Sequence, residues 1–371
     1  MQTRGAILRK TPGTYEVVDL EVDDPRNGEV QIQLVASGLC HSDDHIATGD
    51  IPSDVLPWAG GHEGAGVITK VGPGTRGFKE GDHVVLSFLP GCGRCRWCAT
   101  GHQNLCDTGA SLLTGARFDD PGSFRLSLDG QPVGQMLGIS TFCETTTVAI
   151  ESVVKIPDDV PLDVVCLLGC GVGTGWGSAV NSAKVAPGDT VIVMGVGGVG
   201  INAVQGARHA GAANIIAVDP VAFKRETALK LGATHAFDSM DEATEIGRQL
   251  TNGQGAAAAI VTVGVVSGDI VAQAFRATRK LGTTVVTSIG PADAVGVPIS
   301  LTELTNYQKK LVGSLAGEMV PSWSILEQLE MYQSGALRLD ELITTRYRLD
   351  DIAQGYEDMH AGKNIRGLIE F

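Results

Sequence analysis

Two patterns of hydrophobic and polar positions divide the chain. Up to about residue 155, short apolar runs rich in β-branched residues are broken every few positions by Gly, Pro and Asp. Residues 29–37 (EVQIQLVAS), 66–71 (GVITKV) and 83–88 (HVVLSF) are the clearest of them. Runs of this length and composition predict strands, here mostly antiparallel and irregular. Near Pro187 the pattern changes. Residues 190–194 (TVIVM) form a continuous apolar run, as in a strand covered on both faces, and residues 198–209 have helical spacing. Strand-like runs recur at 215–218, 258–263 and 283–287, separated by helical stretches at 222–231, closed by Gly232 as a C-cap, and at 241–250. Alternation of this kind predicts a doubly wound α/β domain with a parallel sheet, beside a mainly β domain. A helical segment at 324–332 and a last strand at 365–371 are expected to return to the first domain.

The expected domains are therefore residues 1–170, with a cysteine lobe at 91–107, then 171–316, and then 317–371 rejoining the first. A length of 371 residues, 43% apolar and 19% charged, suffices for domains that bury their own cores. The net charge of −14 carries no basic stripe, which argues against nucleic acid and anionic lipid as partners. The N-terminus lacks the apolar stretch of a secretory signal, and the longest near-apolar run, 190–204, falls short of the roughly 20 residues of a membrane helix. A cytoplasmic protein is expected. Eight cysteines, four of them crowded into 92–106, suit metal binding in a reducing compartment better than a disulfide framework.

Gly195, Gly197 and Gly200 form G-x-G-x-x-G directly after the apolar strand, with Gly198 and Val199 opening the helix. The first glycine permits the tight turn, the second lets the backbone approach a pyrophosphate, and the third lets helix and strand pack closely. Asp219 ends the next strand 24 residues after Gly195, where a carboxylate can accept hydrogen bonds from adenosine ribose hydroxyls and repel a 2′-phosphate. The reading is an NAD site, with NADP disfavoured, although Lys224 and Arg225 stand nearby.

Cys92, Cys95, Cys98 and Cys106 make C-x2-C-x2-C-x7-C. Four thiolates so spaced can close a tetrahedron around Zn²⁺ with no open position, the arrangement of a structural site. The competing iron–sulfur pattern wants its fourth cysteine four residues on and followed by proline; here seven residues intervene and Asp107 follows. Two further segments, GLCHSDDH (38–45) and GGHEGAG (60–66), are dense in polar ligands, and Cys170 lies in CLLGCG. Spacing alone cannot join residues 40, 62 and 170. Taken singly, Cys170 also reads as a small buried hydrophobe, His62 as a core histidine and His45 as a solvated loop residue.

The combination of GLCHSDDH, GGHEGAG, the four-cysteine lobe, CLLGCGVGTGWGSAV, GVGGVG and the closing GKNIRG resembles the zinc-dependent medium-chain alcohol dehydrogenases over essentially the whole chain. AVDPVAFKRETALKLGATHAF and GYEDMHAGKNIRG are most similar to the nicotinoprotein branch, whose members hold NAD without releasing it and pass electrons to an acceptor such as N,N-dimethyl-4-nitrosoaniline (NDMA). The resemblance implies a GroES-like catalytic domain and a Rossmann domain. It implies two zinc ions per subunit, with Cys40, His62 and Cys170 on the catalytic one, leaving the fourth position for substrate, where the metal lowers the pKa of a bound hydroxyl.

By the same resemblance the alcohol proton leaves through Ser42, the nicotinamide ribose hydroxyl and His45, Asp43 orients His62, and Glu63 is an alternative metal ligand. Thr174 and Val199 would flank the nicotinamide, Lys224 the adenosine ribose and Arg366 the pyrophosphate. His41 stands where many members carry an arginine for phosphate, a weaker and pH-dependent partner. Phe88 and Phe142 match positions lining the family's substrate channel, with core packing the other reading of each. The implied substrates are primary or aromatic alcohols and their aldehydes, in a homo-oligomer with an external electron acceptor. The rival within the family is a formaldehyde dehydrogenase acting on a thiol adduct with dissociable NAD; no distinctive basic cluster for such a charged substrate is evident.

Overall fold

The broken apolar runs of the first half pair into two sheets in the computed structural model, which describes residues 1–53 and 55–371. The first sheet is a small closed barrel of Gln2–Leu8, Glu16–Val22, Leu126–Leu128, Gln131–Gln135 and Trp58–Ala59, in that order. The second runs Val153–Lys155, His83–Leu86, Gly64–Val71, Glu29–Gly38, Arg366–Glu370 and Ile343–Arg348, and Thr145–Ala149 pairs onto Glu29–Gly38. Together with the helix Pro321–Gln333, these strands belong to one unit made of 1–170, 320–335 and 339–371. The expected return of the C-terminus is thus a strand pairing: Arg366–Glu370 lies antiparallel to Glu29–Gly38.

Register in this second sheet decides where the polar ligands fall. Ser37 stands opposite Gly64, and Gly38 opposite Leu368. Cys40 therefore leaves the sheet at the same end at which His62 and Glu63 enter it, and Arg366 begins its strand there too. A one-residue slip would turn every side chain of a strand to the other face, so the buried pattern of Glu29–Gly38 locks this alignment.

Beneath the sheets lies a charged network with no counterpart in the hydrophobic pattern. The Glu29 carboxylate accepts from Arg117 Nε at 3.0 Å and Arg125 Nε at 2.7 Å, and Arg125 Nη1 donates to Gln135 Oε1 at 3.0 Å. All four residues are buried. The two guanidinium groups, acting against the cost of burial, hold the Glu29 carboxyl below its usual range.

The other unit, 171–319 with 336–338, contains a six-stranded sheet in the order His235–Phe237, Asn214–Val218, Thr190–Met194, Ala256–Val261, Thr278–Val286, Lys310–Gly313. Every neighbouring pair is parallel. The strand order reverses at Thr190–Met194, whose successor lies on one side and whose later partner Ala256–Val261 lies on the other. At such a switch point the crevice beyond the strands' carboxyl ends receives ligands. The helices Gly198–His209 and Ala222–Leu231 have the expected bounds, and the third runs Met240–Gln249.

One helix goes against its composition. Gly171–Gly177 has four glycines in seven residues, each costing about 1 kcal/mol relative to alanine in a helix. It is completely buried and packs on Gly198–His209; a Cβ at Gly175 would lie 2.9 Å from Ala203 N and overlap the Val199 carbonyl. Close helix contact offsets the poor propensity. Among the described residues no single helix is long and apolar enough to cross a membrane.

Candidate active site and dinucleotide site

The short helix His41–Thr48 begins immediately after Cys40 and buries Asp43, His45, Ile46 and Ala47. Asp43 ties this helix to the GGHE segment twice. Its Oδ1 accepts the Gly61 amide hydrogen at 2.7 Å, and its Oδ2 lies 2.9 Å from His62 Nδ1. The Tyr15 hydroxyl donates to the Asp43 carbonyl at 3.2 Å, holding the helix from behind. With Nδ1 turned to the carboxylate, the other ring nitrogen of His62 is the one available to a metal.

Cys40, His62, Glu63 and Cys170 each offer one ligand atom, all within 4.8 Å of one another, and all four are buried. A hydrogen bond from the Cys170 thiol holds the Cys40 thiol well below its ordinary range, and the same contact, with burial, pushes Cys170 up. Burial alone would keep His62 neutral, but the adjacent Asp43 and Cys40 charges outweigh it and raise its pKa well above the ordinary value. Two sulfurs, an imidazole and a carboxylate packed in a buried site can hold a metal ion. This donor set fits Zn²⁺, with two Cys and one His as strong ligands.

Glu63 faces Arg366: the buried guanidinium ion-pairs with the carboxylate, and burial against this pairing leaves Arg366 fully charged with a raised pKa. The Arg366 side chain, read above as a pyrophosphate ligand, is thus engaged in the metal-site unit. Ser42 Oγ lies 3.8 Å from Cys40 Sγ, and His45 Nδ1 lies 3.0 Å from Asp50 Oδ2. Asp50 escaped the sequence reading. The signal for it was Gly49, which ends the helix at φ 88° and turns the chain back. Phe88 meets the His62 ring edge-on at 5.6 Å, an apolar wall beside the ligands. Phe142 is fully buried in an aromatic core with Tyr15 and Tyr356. His41 is half-buried at the start of its helix.

The lobe builds its four-sulfur group locally. Cys95 caps the helix Arg96–Ala99 and accepts from the Cys98 amide; Cys92 accepts from the Cys95 amide and Cys106 from the Cys92 amide, each at 3.4 Å. Backbone donors, Arg94 first and then Cys95, hold the Cys92 thiol down to about 6. The Cys92–Cys98 and Cys95–Cys106 sulfur separations are 3.9 and 4.0 Å. A tetrahedron with Zn–S near 2.3 Å has edges of about 3.8 Å. All eight cysteines are free thiols. Cys143 and Cys166 are fully buried and belong to neither group, and burial pushes the Cys143 thiol up to about 12 and Cys166 higher still.

In the other unit, Gly195 adopts φ 87°, and a Cβ there would meet Val263 backbone at 2.9 Å; a Cβ at Gly200 would strike the Gly195 carbonyl. At Gly197 a Cβ would have only Lys224 Nζ near it, at 4.0 Å. Helix N–H groups thus face open space bordered by a cation, the cradle a pyrophosphate requires. Residues 197–199 are half-exposed, while Thr174 is buried with its hydroxyl lacking a partner.

The Asp219 carboxylate accepts from the Val196 amide at 3.0 Å and the Val221 amide at 2.9 Å, which pins the strand end to the glycine turn. Arg225 Nη1 donates to the Asp219 and Pro220 carbonyls. Its charge is thereby anchored to backbone beside the Asp219 carboxylate. The residues fit NAD.

Comparison with known proteins agrees with this geometry. The alcohol dehydrogenase GroES-like domain family matches residues 26–158, and the zinc-binding dehydrogenase family matches residues 198–330. The chain is 50% identical over 369 residues to the NDMA-dependent alcohol dehydrogenase of Amycolatopsis methanolica, covering 100% of this chain and 99% of that one. It is 33% identical over 381 residues to S-(hydroxymethyl)glutathione dehydrogenase of Paracoccus denitrificans, with both chains fully covered. The crystal structure of benzyl alcohol dehydrogenase from Acinetobacter calcoaceticus superposes with a TM-score of 0.91 at 30% identity, covering 100% of this chain and 99% of that one. The chain belongs to the zinc-dependent medium-chain alcohol dehydrogenases, GroES-like and Rossmann domains together, and is an oxidoreductase of alcohols.

Proposed function

We propose that this alcohol dehydrogenase keeps NAD bound through turnover and returns its electrons to an external acceptor, acting on primary or aromatic alcohols and their aldehydes. The observation that carries the reading is the full-length identity of 50% to an NDMA-dependent enzyme, against 33% to one that oxidises a glutathione adduct. The apolar Phe88 beside the ligands favours an uncharged substrate.

Cys40, His62 and Cys170 would hold a catalytic zinc and the four lobe cysteines a structural one, giving two per subunit. Bound zinc supplies a Lewis acid for the alcohol oxygen, and bound NAD supplies a hydride acceptor. The protein's own groups do the rest. Asp43 holds the His62 ring in its ligating orientation, and Arg366 ion-pairs with Glu63 beside the ligands. The alcohol proton passes to the Ser42 hydroxyl and on to His45. The Gly195–Gly200 turn takes the pyrophosphate, Asp219 and Lys224 the adenosine ribose, and Thr174 offers its unpartnered hydroxyl to the nicotinamide amide.

The strand Lys310–Gly313 pairs on one side only and is flanked by exposed Leu281, Leu301 and Leu315, which supports a homo-oligomer through this edge. The decisive experiment is to desalt the purified protein exhaustively, denature it and assay NAD(H) and zinc. One nucleotide and two zinc ions per subunit, with turnover on NDMA without added cofactor, are expected. A nucleotide-free protein whose turnover depends on added NAD overturns the reading.

A further inference from the structure

His45 is nearly inaccessible, with 4% of its side chain exposed, whereas its neighbour Asp50 is 28% exposed. Their approach is produced by the chain reversal at Gly49. Its left-handed conformation ends the helix, the Ile51 amide returns to the His45 carbonyl at 3.0 Å, and the carboxylate of Asp50 swings back against the ring five residues earlier. The Thr48 hydroxyl donates to the same Oδ2 at 3.1 Å, and that contact and the His45 contact hold the Asp50 carboxyl below its usual range. The carboxylate is therefore charged and held from two sides.

A carboxylate can only accept hydrogen bonds, so the His45 nitrogen 3.0 Å from it must carry the hydrogen. Neutral His45 is then the Nδ1–H tautomer, and its Nε2 is the acceptor nitrogen. In the opposite tautomer the Nδ1 lone pair would face a negative oxygen, which is repulsive. We infer that Asp50 is a positioning residue for the reaction: it selects the His45 tautomer whose Nε2 can take the alcohol proton.

The inference rests on the proposed role of His45 as proton acceptor. The proton released from the alcohol oxygen arrives at Nε2 and makes an imidazolium, whose Nδ1–H stays donated to the Asp50 carboxylate. The proton then leaves the ring for bulk water. Asp50 itself neither gains nor loses a proton. Its position differs from that of Asp43, which performs the same service for His62. The two adjacent histidine–carboxylate pairs divide the labour, one fixing a metal ligand and the other a base.

The test separates the two claims. In the full-length holoprotein with 15N-labelled histidine, the His45 resonances are assigned by their loss in His45→Gln. Proton–nitrogen correlations then report the tautomer. The wild type is expected to show His45 protonated at Nδ1. Asp50→Asn, whose amide can turn to donate, is expected to release this bias, and Asp50→Glu to retain it. A wild-type Nε2–H tautomer, or an unchanged tautomer in Asp50→Asn, overturns the inference whatever the activity.

In turnover, Asp50→Asn is expected to lower kcat by about ten- to a hundredfold, the range for groups that orient a working imidazole, with KM within twofold. That loss should vanish in the His45→Gln background. An equal loss in both backgrounds overturns the route through His45. Full activity in His45→Gln overturns the proton-acceptor reading alone, and the tautomer measurement still judges Asp50.

Discussion

The two cysteine-containing groups of this protein are built in opposite ways. The lobe draws its four sulfurs from 15 consecutive residues, and each thiol is held by a backbone amide within the same loop. The Cys40, His62 and Cys170 group draws on three segments far apart in the chain, two of which are aligned by sheet register and the Asp43 bridge. A locally built site depends on its own loop and contributes stability there. A site assembled by the fold depends on the whole unit and is free to leave a position open for substrate.

Removing a ligand from each group should separate these roles most strongly. Cys170→Ala is expected to lower alcohol turnover by at least about a thousandfold, roughly 4 kcal/mol in transition-state stabilisation, with an unchanged circular dichroism spectrum. Retained activity would remove Cys170 from the chemistry. Cys95→Ala should do the reverse: several kcal/mol of stability lost, turnover per folded molecule largely kept, and no further thermal shift on adding a chelator specific for the lobe's metal. A variant as stable as the wild type would deny the lobe a structural role.

Next in size is a change at neither metal group. Glu29→Gln leaves Arg117 and Arg125 buried without their shared carboxylate and should cost about 3–5 kcal/mol in denaturant unfolding near pH 7. Because the folded pKa of Glu29 lies below its unfolded value, its contribution is complete above the unfolded pKa of about 4.3 and is lost as pH falls through the lower folded value. The stability gap between variant and wild type should therefore narrow below about pH 4. A gap independent of pH would show that the loss comes from packing.

The smallest expected effect sharpens the comparison from inside the assembled site. Asp43→Asn keeps the shape but weakens the hold on His62 and should reduce metal affinity or kcat by about ten- to a hundredfold, measured by metal competition and steady-state rates. An equally large effect on thermal stability would instead make Asp43 chiefly a bridge between helix and loop.

Legibility followed the same division. The strand Thr190–Met194, the helix Gly198–His209 and the four-cysteine lobe are local patterns, and each was visible in its own residues. The helix Gly171–Gly177 was not, because its glycines oppose helix formation and only the close contact with Val199 and Ala203 makes them useful. Phe142 matched a channel position by resemblance, yet its ring is occupied by contacts with Tyr15 and Tyr356. Arg366 is assigned to the pyrophosphate by resemblance alone; its ion pair with Glu63 is set by its strand position.

What the sequence determined by itself is therefore everything whose cause lies within about one turn or one loop: the α/β alternation, the glycine turn with Asp219 at the next strand end, and the four-cysteine lobe. Tertiary structure decided which distant groups share a dry site. It joined Cys40, His62 and Cys170, gave Asp43 to His62 and buried Glu29 between two arginines. The physical reason is range. Propensity and turn chemistry act between neighbours in the chain, whereas ligand geometry and buried charge pairing act through space, and only the registered sheet sets those distances.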